Sequence, residues 1–215
     1  MNYELDLDEQ EKLDALKGYW QRYSNLILVV LAIAAFGLAG WQWWHHLQQK
    51  KAAEASVLYA DLQKAQKDDQ IGTVTGTAQT LMAQYGNTAY AARGAIIAAA
   101  ANIRAKNLPV ARNELQWVLA HSRESGIKAL AGLHLAEIFL DANQPEAALA
   151  QLNAPHDEAF ANLYNDLKGD ALVMENKRPE ARAAYKIALE KLPADSQYRS
   201  IIETKLNAIG GVAAP

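Results

Sequence analysis

Apolar residues follow two different patterns along this chain, one unbroken and one periodic. Between Tyr23 and Trp44 no residue is charged, and the stretch contains the run LILVVLAIAAFGLAGWQWW. As a helix, about 22 residues rise about 33 Å at ~1.5 Å each, which is enough to cross the hydrocarbon core of a bilayer. After this run, apolar residues instead recur every three or four positions, the interval of an amphipathic helix. The pattern therefore predicts one membrane-spanning helix followed by a set of packed helices.

The flanks of the run favour a membrane anchor over a cleaved signal peptide. Aromatic residues, which prefer the headgroup region, lie at both ends: Tyr19, Trp20 and Tyr23 before the run, and Trp41, Trp43 and Trp44 at its end. Residues 1–22 carry six acids, whereas a signal peptide begins with basic residues and ends in a cleavage site of small residues. A buried core helix is the alternative, but amphipathic neighbours would leave so apolar a rod uncovered. We therefore expect an uncleaved anchor.

Basic residues give a slight preference for one orientation. Lys12, Lys17 and Arg22 precede the span, Lys50 and Lys51 follow it, and cytoplasmic flanks carry the excess of Lys and Arg. Together with the short N-terminal tail, this predicts a bacterial inner-membrane protein with a single span, its N-terminus in the cytoplasm and its C-terminal domain in the periplasm. The absence of cysteine is compatible with that oxidising compartment.

Three parts are expected: an acidic cytoplasmic tail over 1–22, a transmembrane helix over 23–44 and one periplasmic domain over 45–215. The chain has 24 acidic and 21 basic residues, and the tail holds six of the acids and three of the bases, so the predicted domain is formally neutral. Its lysines and arginines are scattered beside acids rather than clustered on one face, which excludes nucleic acid as an expected partner.

Self-similarity is the strongest signal in the predicted domain. Pro145-Glu146-Ala147 recurs 34 residues later as Pro179-Glu180-Ala181, and 34 residues is the period of tetratricopeptide repeats. Pro109-Val110-Ala111 is a third copy, 36 residues before the first of these. Proline suits the first turn of a helix, where its missing N–H is not needed. Each proline therefore predicts a turn that opens the second helix of a pair.

These repeats predict an all-α fold, a tetratricopeptide-like solenoid of about four helix pairs. The first pair would combine 52–67 with a helix around Ala78 to Tyr85, and a closing helix would cover 195–208. The segment 71–77, IGTVTGT, resists helix because of its glycines and β-branched residues, and we expect a loop there. A generic helical bundle whose alanines recur by chance is the alternative.

Stacked helix pairs leave a concave surface that holds polypeptides. Repeat geometry predicts a partner-binding groove with apolar residues on its face and charged residues at its edges: Ile96, Ile103, Phe139, Val173 and Met174 on the face, and Arg93, Arg104, Asp166 and Asp170 at the edges. The alternative is that several of these residues belong to the core between helices.

Sequence patterns typical of catalysis are missing from this chain. None of its five histidines stands in a metal-ligand pattern such as HExxH, there is no GxSxG elbow, and no cysteine is present. The glycines of 71–77 lack the Lys-Ser or Lys-Thr pair of a phosphate-binding loop. We therefore predict no enzyme, no catalytic residues, no cofactor and no metal.

The acidic tail, the span ending in Gly40-Trp41-Gln42-Trp43-Trp44 and the degenerate helix pairs resemble the YfgM family, the ancillary subunit of the SecYEG translocon. The best local matches are that exit from the span and the segment Lys168 to Leu172, which leads to Glu180-Ala181-Arg182. The resemblance implies a periplasmic tetratricopeptide-like domain that associates with SecYEG and with the isomerase homologue PpiD and assists newly exported proteins.

Two functions remain open at this point. One is a translocon-associated, chaperone-like helper that contacts exported polypeptides. The other is a membrane-anchored adaptor for a cell-envelope assembly complex that never contacts them.

Overall fold

The computed structural model describes residues 7–210, and the side chains of all of these except 7–16, 18, 19, 21 and 27. Over 7–210 there is no strand, so the predicted all-α class is confirmed. The α-helices are α1 (Leu7–Lys67), α2 (Ile71–Gln84), α3 (Ala89–Arg104), α4 (Leu108–His121), α5 (Ser125–Asp141), α6 (Pro145–Leu152), α7 (Ala161–Met174), α8 (Arg178–Lys191) and α9 (Arg199–Ala208). A short 3₁₀ helix, Glu158–Phe160, precedes α7. The chain divides into two compact units, Met1–Lys50 and Lys51–Pro215.

In the first unit, α1 contains a segment that is long and apolar enough to cross a membrane. Its most apolar 18-residue window has a mean hydropathy of 2.0, and no part of that window is buried in protein. A helix that is apolar on all sides and uncovered by protein needs another apolar environment, which a bilayer supplies. Most side chains of the predicted tail over 1–22 lie outside the described residues, and the limits 23–44 and 45–215 stay predictions.

Two expectations about the first helix pair need correction. The helix expected over 52–67 has no start of its own, because α1 continues to Lys67. The segment 71–77, expected to be a loop, is instead the first half of α2, and that prediction was wrong. Helix propensities differ by at most about 1 kcal/mol for a residue other than proline, whereas burying a valine side chain contributes roughly 1.5–3 kcal/mol. Val74 is 1% exposed in the core, so packing outweighs propensity.

The second unit contains four helix pairs: the end of α1 with α2, α3 with α4, α5 with α6, and α7 with α8. The turn between the two helices has the same geometry in all four pairs. In each turn one residue other than glycine has a positive φ of 51–61°, namely Asp69, Lys106, Asn143 and Asn176. The next residue donates its N–H to the carbonyl five positions back, at 2.8–2.9 Å, which is a Schellman motif. Three of the four second helices begin with a proline in their first turn, as predicted.

The core of the second unit is a row of four overlapping clusters, each built by three successive helices. The first joins α1, α2 and α3, the second α3, α4 and α5, the third α5, α6 and α7, and the last α7, α8 and α9. Alanine supplies many of the buried positions, which lets the helices approach closely. Each pair therefore depends mainly on its neighbours, and the closing helix α9 covers the apolar side of the last pair.

A buried polar network joins α2, α3 and α4 inside this core. The carboxylate of Glu114, only 2% exposed, accepts from the amide of Asn102 at 3.1 and 3.3 Å. The Asn102 amide also donates to the hydroxyl of Thr75 at 2.9 Å, and the side-chain amide of Asn107 donates to the side-chain oxygen of Asn102. Burial raises the pKa of Glu114 to about 7, although the hydrogen bond from Asn102 opposes that rise.

This network should make stability depend on pH. The folded state binds the Glu114 proton more tightly than the unfolded chain, whose pKa for this carboxyl is 4.5. The free energy of unfolding should therefore fall as pH rises from about 4.5 to about 7 and then level off. Glu114→Gln should remove that fall and raise stability at pH 8 by about 1–2 kcal/mol. Urea titrations of the full chain in detergent, followed by circular dichroism at pH 5 and pH 8, measure the difference.

The exposed acid Glu190, replaced by glutamine, is the matched control and should retain the pH dependence of the parent protein. Equal pH dependence in the parent and in Glu114→Gln would contradict the assignment to Glu114.

Candidate polypeptide-binding site

The second unit has an open cavity of about 360 Å³ where α5 and α7 lie side by side. Both are first helices of their pairs, and Tyr185 of α8 completes the wall. Eight residues line this α5–α7 cavity: Glu137, Leu140 and Asp141 from α5, Leu167, Asp170, Val173 and Met174 from α7, and Tyr185. The volume lies at the small end of the ~300–1,000 Å³ typical of ligand sites. It suits one or two side chains of a partner rather than a folded domain.

Apolar side chains form the floor of the α5–α7 cavity. Leu140 and Leu167 also pack against the core cluster of α5, α6 and α7, so they are held in place from below. Val173 packs against the next cluster, while Met174, at the last turn of α7, is 38% exposed. Methionine is flexible and polarisable, and such side chains adapt to partners of different shape. The floor therefore combines fixed positions with one adaptable residue.

Carboxylates form the rim of the α5–α7 cavity. Glu137 and Asp141 are exposed, and they lie four residues apart on α5, where side chains share one helix face. Asp170 is the third carboxylate and projects from α7. Glu137 contacts the imidazole of His134 at 2.8 Å. A like-charged pair at this spacing slightly destabilises an isolated helix, so the fold itself gains nothing from it.

Beneath the rim, a charged network ties α7 to α8 and α9. Lys205 of α9 donates to Asp166 at 3.0 Å and to Asp170 at 2.7 Å. The hydroxyl of Tyr198 donates to Asp166 at 2.6 Å, and that of Tyr185 donates to Asp170 at 2.7 Å. Asp166 is 1% exposed, so its charge is fully buried. The network fixes Asp170 and the Tyr185 ring, and thereby one wall of the cavity.

The pKa values of this network follow from burial and pairing. Burial alone would lower the pKa of Lys205, but hydrogen bonds to Asp170 and Asp166 outweigh it, and the pKa is raised above its ordinary 10.5. Burial and the neighbouring carboxylates raise the pKa of Tyr185 and Tyr198 above 10. Both phenols stay protonated at neutral pH and act as donors.

The nine residues predicted for the groove do not share one surface. Asp170, Val173 and Met174 line the α5–α7 cavity. Ile96 is buried in the cluster of α3, α4 and α5, and Asp166 is buried in the charged network, so neither is open to a partner. Ile103 packs against the same cluster as Ile96, Arg93 pairs with Glu124 at 2.7 Å, and Arg104 is exposed at the end of α3.

Phe139 lies at a different opening, lined by residues of α4, α5 and α6. The guanidinium carbon of Arg112 stands 5.0 Å from the centre of its ring, a cation–π contact. Phe139 also packs against two of the core clusters. Its contacts are therefore those of a residue between helices, which was the alternative interpretation of the predicted groove residues.

Five lining residues were absent from the predicted set: Glu137, Leu140, Asp141, Leu167 and Tyr185. The helical spacing of Glu137 and Asp141 relative to Leu140 is a signal that the sequence does carry. The position of Tyr185 in the wall carries no such signal. It depends on Asp170, which accepts from Tyr185 and from Lys205, and these residues are 15 and 35 positions away from Asp170.

The chemistry available in the α5–α7 cavity is recognition by charge and apolar contact. Its carboxylates pair with Lys205, contact the imidazole of His134 or face solvent, and its remaining residues are apolar or phenolic. Among the described residues, no group of three or more histidine, aspartate or glutamate side chains is placed to hold a metal ion.

Comparison with known proteins covers nearly the whole chain. A family model described as a tetratricopeptide repeat-like domain matches residues 17–211, which confirms the predicted solenoid. A relative from Neisseria gonorrhoeae (strain ATCC 700825 / FA 1090), named ancillary SecYEG translocon subunit, is 32% identical over 204 residues, or 94% of this chain and 98% of the relative. A relative of the same name from Escherichia coli (strain K12) is 26% identical over 202 residues, 93% of this chain and 96% of the relative. No solved structure matches significantly.

Proposed function

Because the chain belongs to the tetratricopeptide repeat-like family of ancillary SecYEG translocon subunits, we propose that it is a non-enzymatic subunit that binds the SecYEG channel from the bacterial inner membrane. The observation that carries the proposal is the extent of the match, which includes both the apolar segment and the helical repeats. Membership of the family agrees with the resemblance expected from the sequence.

The apolar segment of α1 supplies the anchor in this proposal. Its exposed aromatic residues would lie at the membrane interface, with Trp43 74% and Trp41 64% exposed. The N-terminus lies in the cytoplasm and the second unit in the periplasm. There the helical repeats bind a PpiD-like isomerase homologue and receive segments of exported polypeptides. The α5–α7 cavity, with its exposed Met174, is the surface that supports polypeptide binding.

Co-purification tests the link to the channel. A tagged full-length chain, solubilised in a mild detergent, should retain SecYEG and the PpiD-like protein. The matched control carries Leu31→Lys and Ile33→Lys in the centre of the apolar segment, where charges oppose membrane insertion. This control variant should not retain SecYEG during purification. Failure of the parent chain to retain SecYEG would contradict the proposal.

Crosslinking separates this function from an adaptor for envelope assembly. A photo-reactive amino acid in place of Met174 should crosslink to exported polypeptides arrested during translocation, because that side chain is exposed in the α5–α7 cavity. The same probe at Ile202, 0% exposed in the core, is the negative control. Crosslinks to one dedicated envelope protein and to no exported chain would favour the adaptor.

A further inference from the structure

We propose that the α5–α7 cavity selects unfolded polypeptide segments in which a lysine or arginine lies beside a bulky apolar residue. This inference rests on the proposed function and adds the chemistry of the segment that is bound. The apolar floor makes the cavity a docking site, and the charge of the rim decides which segments it accepts.

Charge complementarity identifies the cationic partner. Four carboxylates lie in or directly beneath the cavity: Glu137, Asp141, Asp166 and Asp170. Among the described side chains, Lys205 is the one lysine or arginine within ion-pair distance of any of them. It serves the two aspartates of α7, so Glu137 keeps only the imidazole of His134, and Asp141 has no lysine or arginine within that distance. The negative charge of these carboxylates repels acidic segments and attracts basic ones.

The positions of the rim carboxylates make the cavity selective for a basic residue beside an apolar one. Glu137 and Asp141 flank Leu140, which forms part of the apolar floor, so the cationic and apolar subsites lie on one turn of α5. A partner residue that enters the floor therefore brings its neighbours to the carboxylates. Lysine and arginine suit this arrangement, because their aliphatic stems cover apolar surface while their charged ends reach the rim.

The size of the cavity sets the length of the segment. A volume of about 360 Å³ holds one or two side chains, and both Met174 and the open rim tolerate variation among them. Such a site binds weakly and releases quickly, as contact with many different unfolded chains requires. A short motif of one apolar and one basic residue is therefore the unit that it recognises.

Fluorescence anisotropy tests the selectivity directly. The full-length chain in nanodiscs of zwitterionic lipid is titrated into a fluorescein-labelled peptide whose Gly-Ser flanks surround Phe-Lys-Leu. In two matched peptides the lysine is replaced by glutamine or by glutamate, and in a third the two apolar residues are replaced by serine. We expect the lysine peptide to bind about tenfold more tightly than the glutamate peptide and to weaken as salt rises. The serine peptide should not bind, and empty nanodiscs correct for lipid adsorption.

Rim variants locate the effect in the cavity. Glu137→Gln with Asp141→Asn should weaken the lysine peptide by about fivefold and leave the glutamine peptide unchanged, since two partly exposed pairs are lost. Glu190→Gln with Asp195→Asn removes the same number of exposed acids outside the cavity and should change neither. Circular dichroism melts confirm that both variants are folded.

Distinct results bear on the inference and on the proposed function. Equal affinity for the lysine, glutamine and glutamate peptides, or equal effects of the two double variants, would overturn the charge selectivity even if Met174 still crosslinks to exported chains. Loss of SecYEG from the purified complex would instead overturn the proposed function.

Discussion

Replacing Lys205 with methionine should lower the free energy of unfolding of the helical repeats by about 3 kcal/mol. The ammonium of Lys205 lies 3.0 Å from Asp166, which is 1% exposed, and 2.7 Å from Asp170. Without it, a buried carboxylate would keep only the hydroxyl of Tyr198 and otherwise stand without compensation. Removing one partner of a buried pair typically costs about 3–5 kcal/mol, and we expect the lower end because Lys205 is 29% exposed.

Restoring charge balance should recover most of this loss. Lys205→Met combined with Asp166→Asn and Asp170→Asn removes both carboxylates together with the cation, so no buried charge remains. The exposed pair of Lys191 with Glu158 is the matched control, and Lys191→Met should leave stability nearly unchanged. Urea titrations of the full chain in detergent, followed by circular dichroism, give the comparison. Similar losses for Lys205→Met and Lys191→Met would show that the network adds nothing beyond a surface pair.

The effect of Lys205→Met should not depend on pH across the neutral range. The pKa of Lys205 is raised in the folded state, so the stability it contributes is fully present below 10.5 and is lost only as pH rises above that value. The loss should therefore be equal at pH 6 and at pH 8. This separates it from the contribution of Glu114, which changes between about pH 4.5 and about pH 7.

Periodicity identified the helix pairs because each buries one face on its neighbours. The repeated prolines marked three second helices, and the closing helix predicted over 195–208 forms as Arg199–Ala208. The backbone geometry of these turns was not predicted, since the positive φ falls on Asp69, Lys106, Asn143 or Asn176 rather than on glycine. Asparagine and aspartate tolerate this conformation, but their occurrence alone does not indicate it.

Local propensity failed at 71–77, where tertiary packing decides the conformation. The glycines and β-branched residues of 71–77 disfavour a helix, yet Val74 and Ala78 are buried between α1 and α3. The first pair also lacks the proline that marks the others, so only its packing partners specify it. A single sequence shows the composition of a segment but not which apolar surface packs against it in the folded protein.

The candidate site was only partly predictable for a related reason. Repeat geometry, which rests on helical spacing, placed Val173 and Met174 on the face of the predicted groove and Asp170 at its edge, and all three line the α5–α7 cavity. The same spacing does not distinguish a face that meets a partner from one that meets the next helix, which is why Ile96 and Asp166 proved to be buried. The deciding contact for Asp166 comes from Lys205, 39 residues away.

Gly169→Ala should destabilise the last helix pair by about 2 kcal/mol, whereas Gly76→Ala should stabilise α2 by about 1 kcal/mol. A Cβ atom at Gly169 would collide with the ring of Tyr185, whose Cζ would lie only 2.7 Å away. At Gly76 an added Cβ meets nothing within 4 Å, so only the gain in helix propensity remains. The same change of one methyl group should therefore have opposite signs in two helices of one protein.

The ring of Tyr185 cannot easily move aside to relieve that collision. It is 2% exposed, and its hydroxyl is held by Asp170 at 2.7 Å, so rotation would break a hydrogen bond and disturb the Lys205 network. Tyr185→Leu in the Gly169→Ala background should recover part of the lost stability, although Tyr185→Leu alone should destabilise. A coupling of this sign in the double-mutant cycle, measured by the same urea titrations, would assign the requirement for Gly169 to contact with Tyr185. Purely additive losses would mean that Gly169 is needed for another reason.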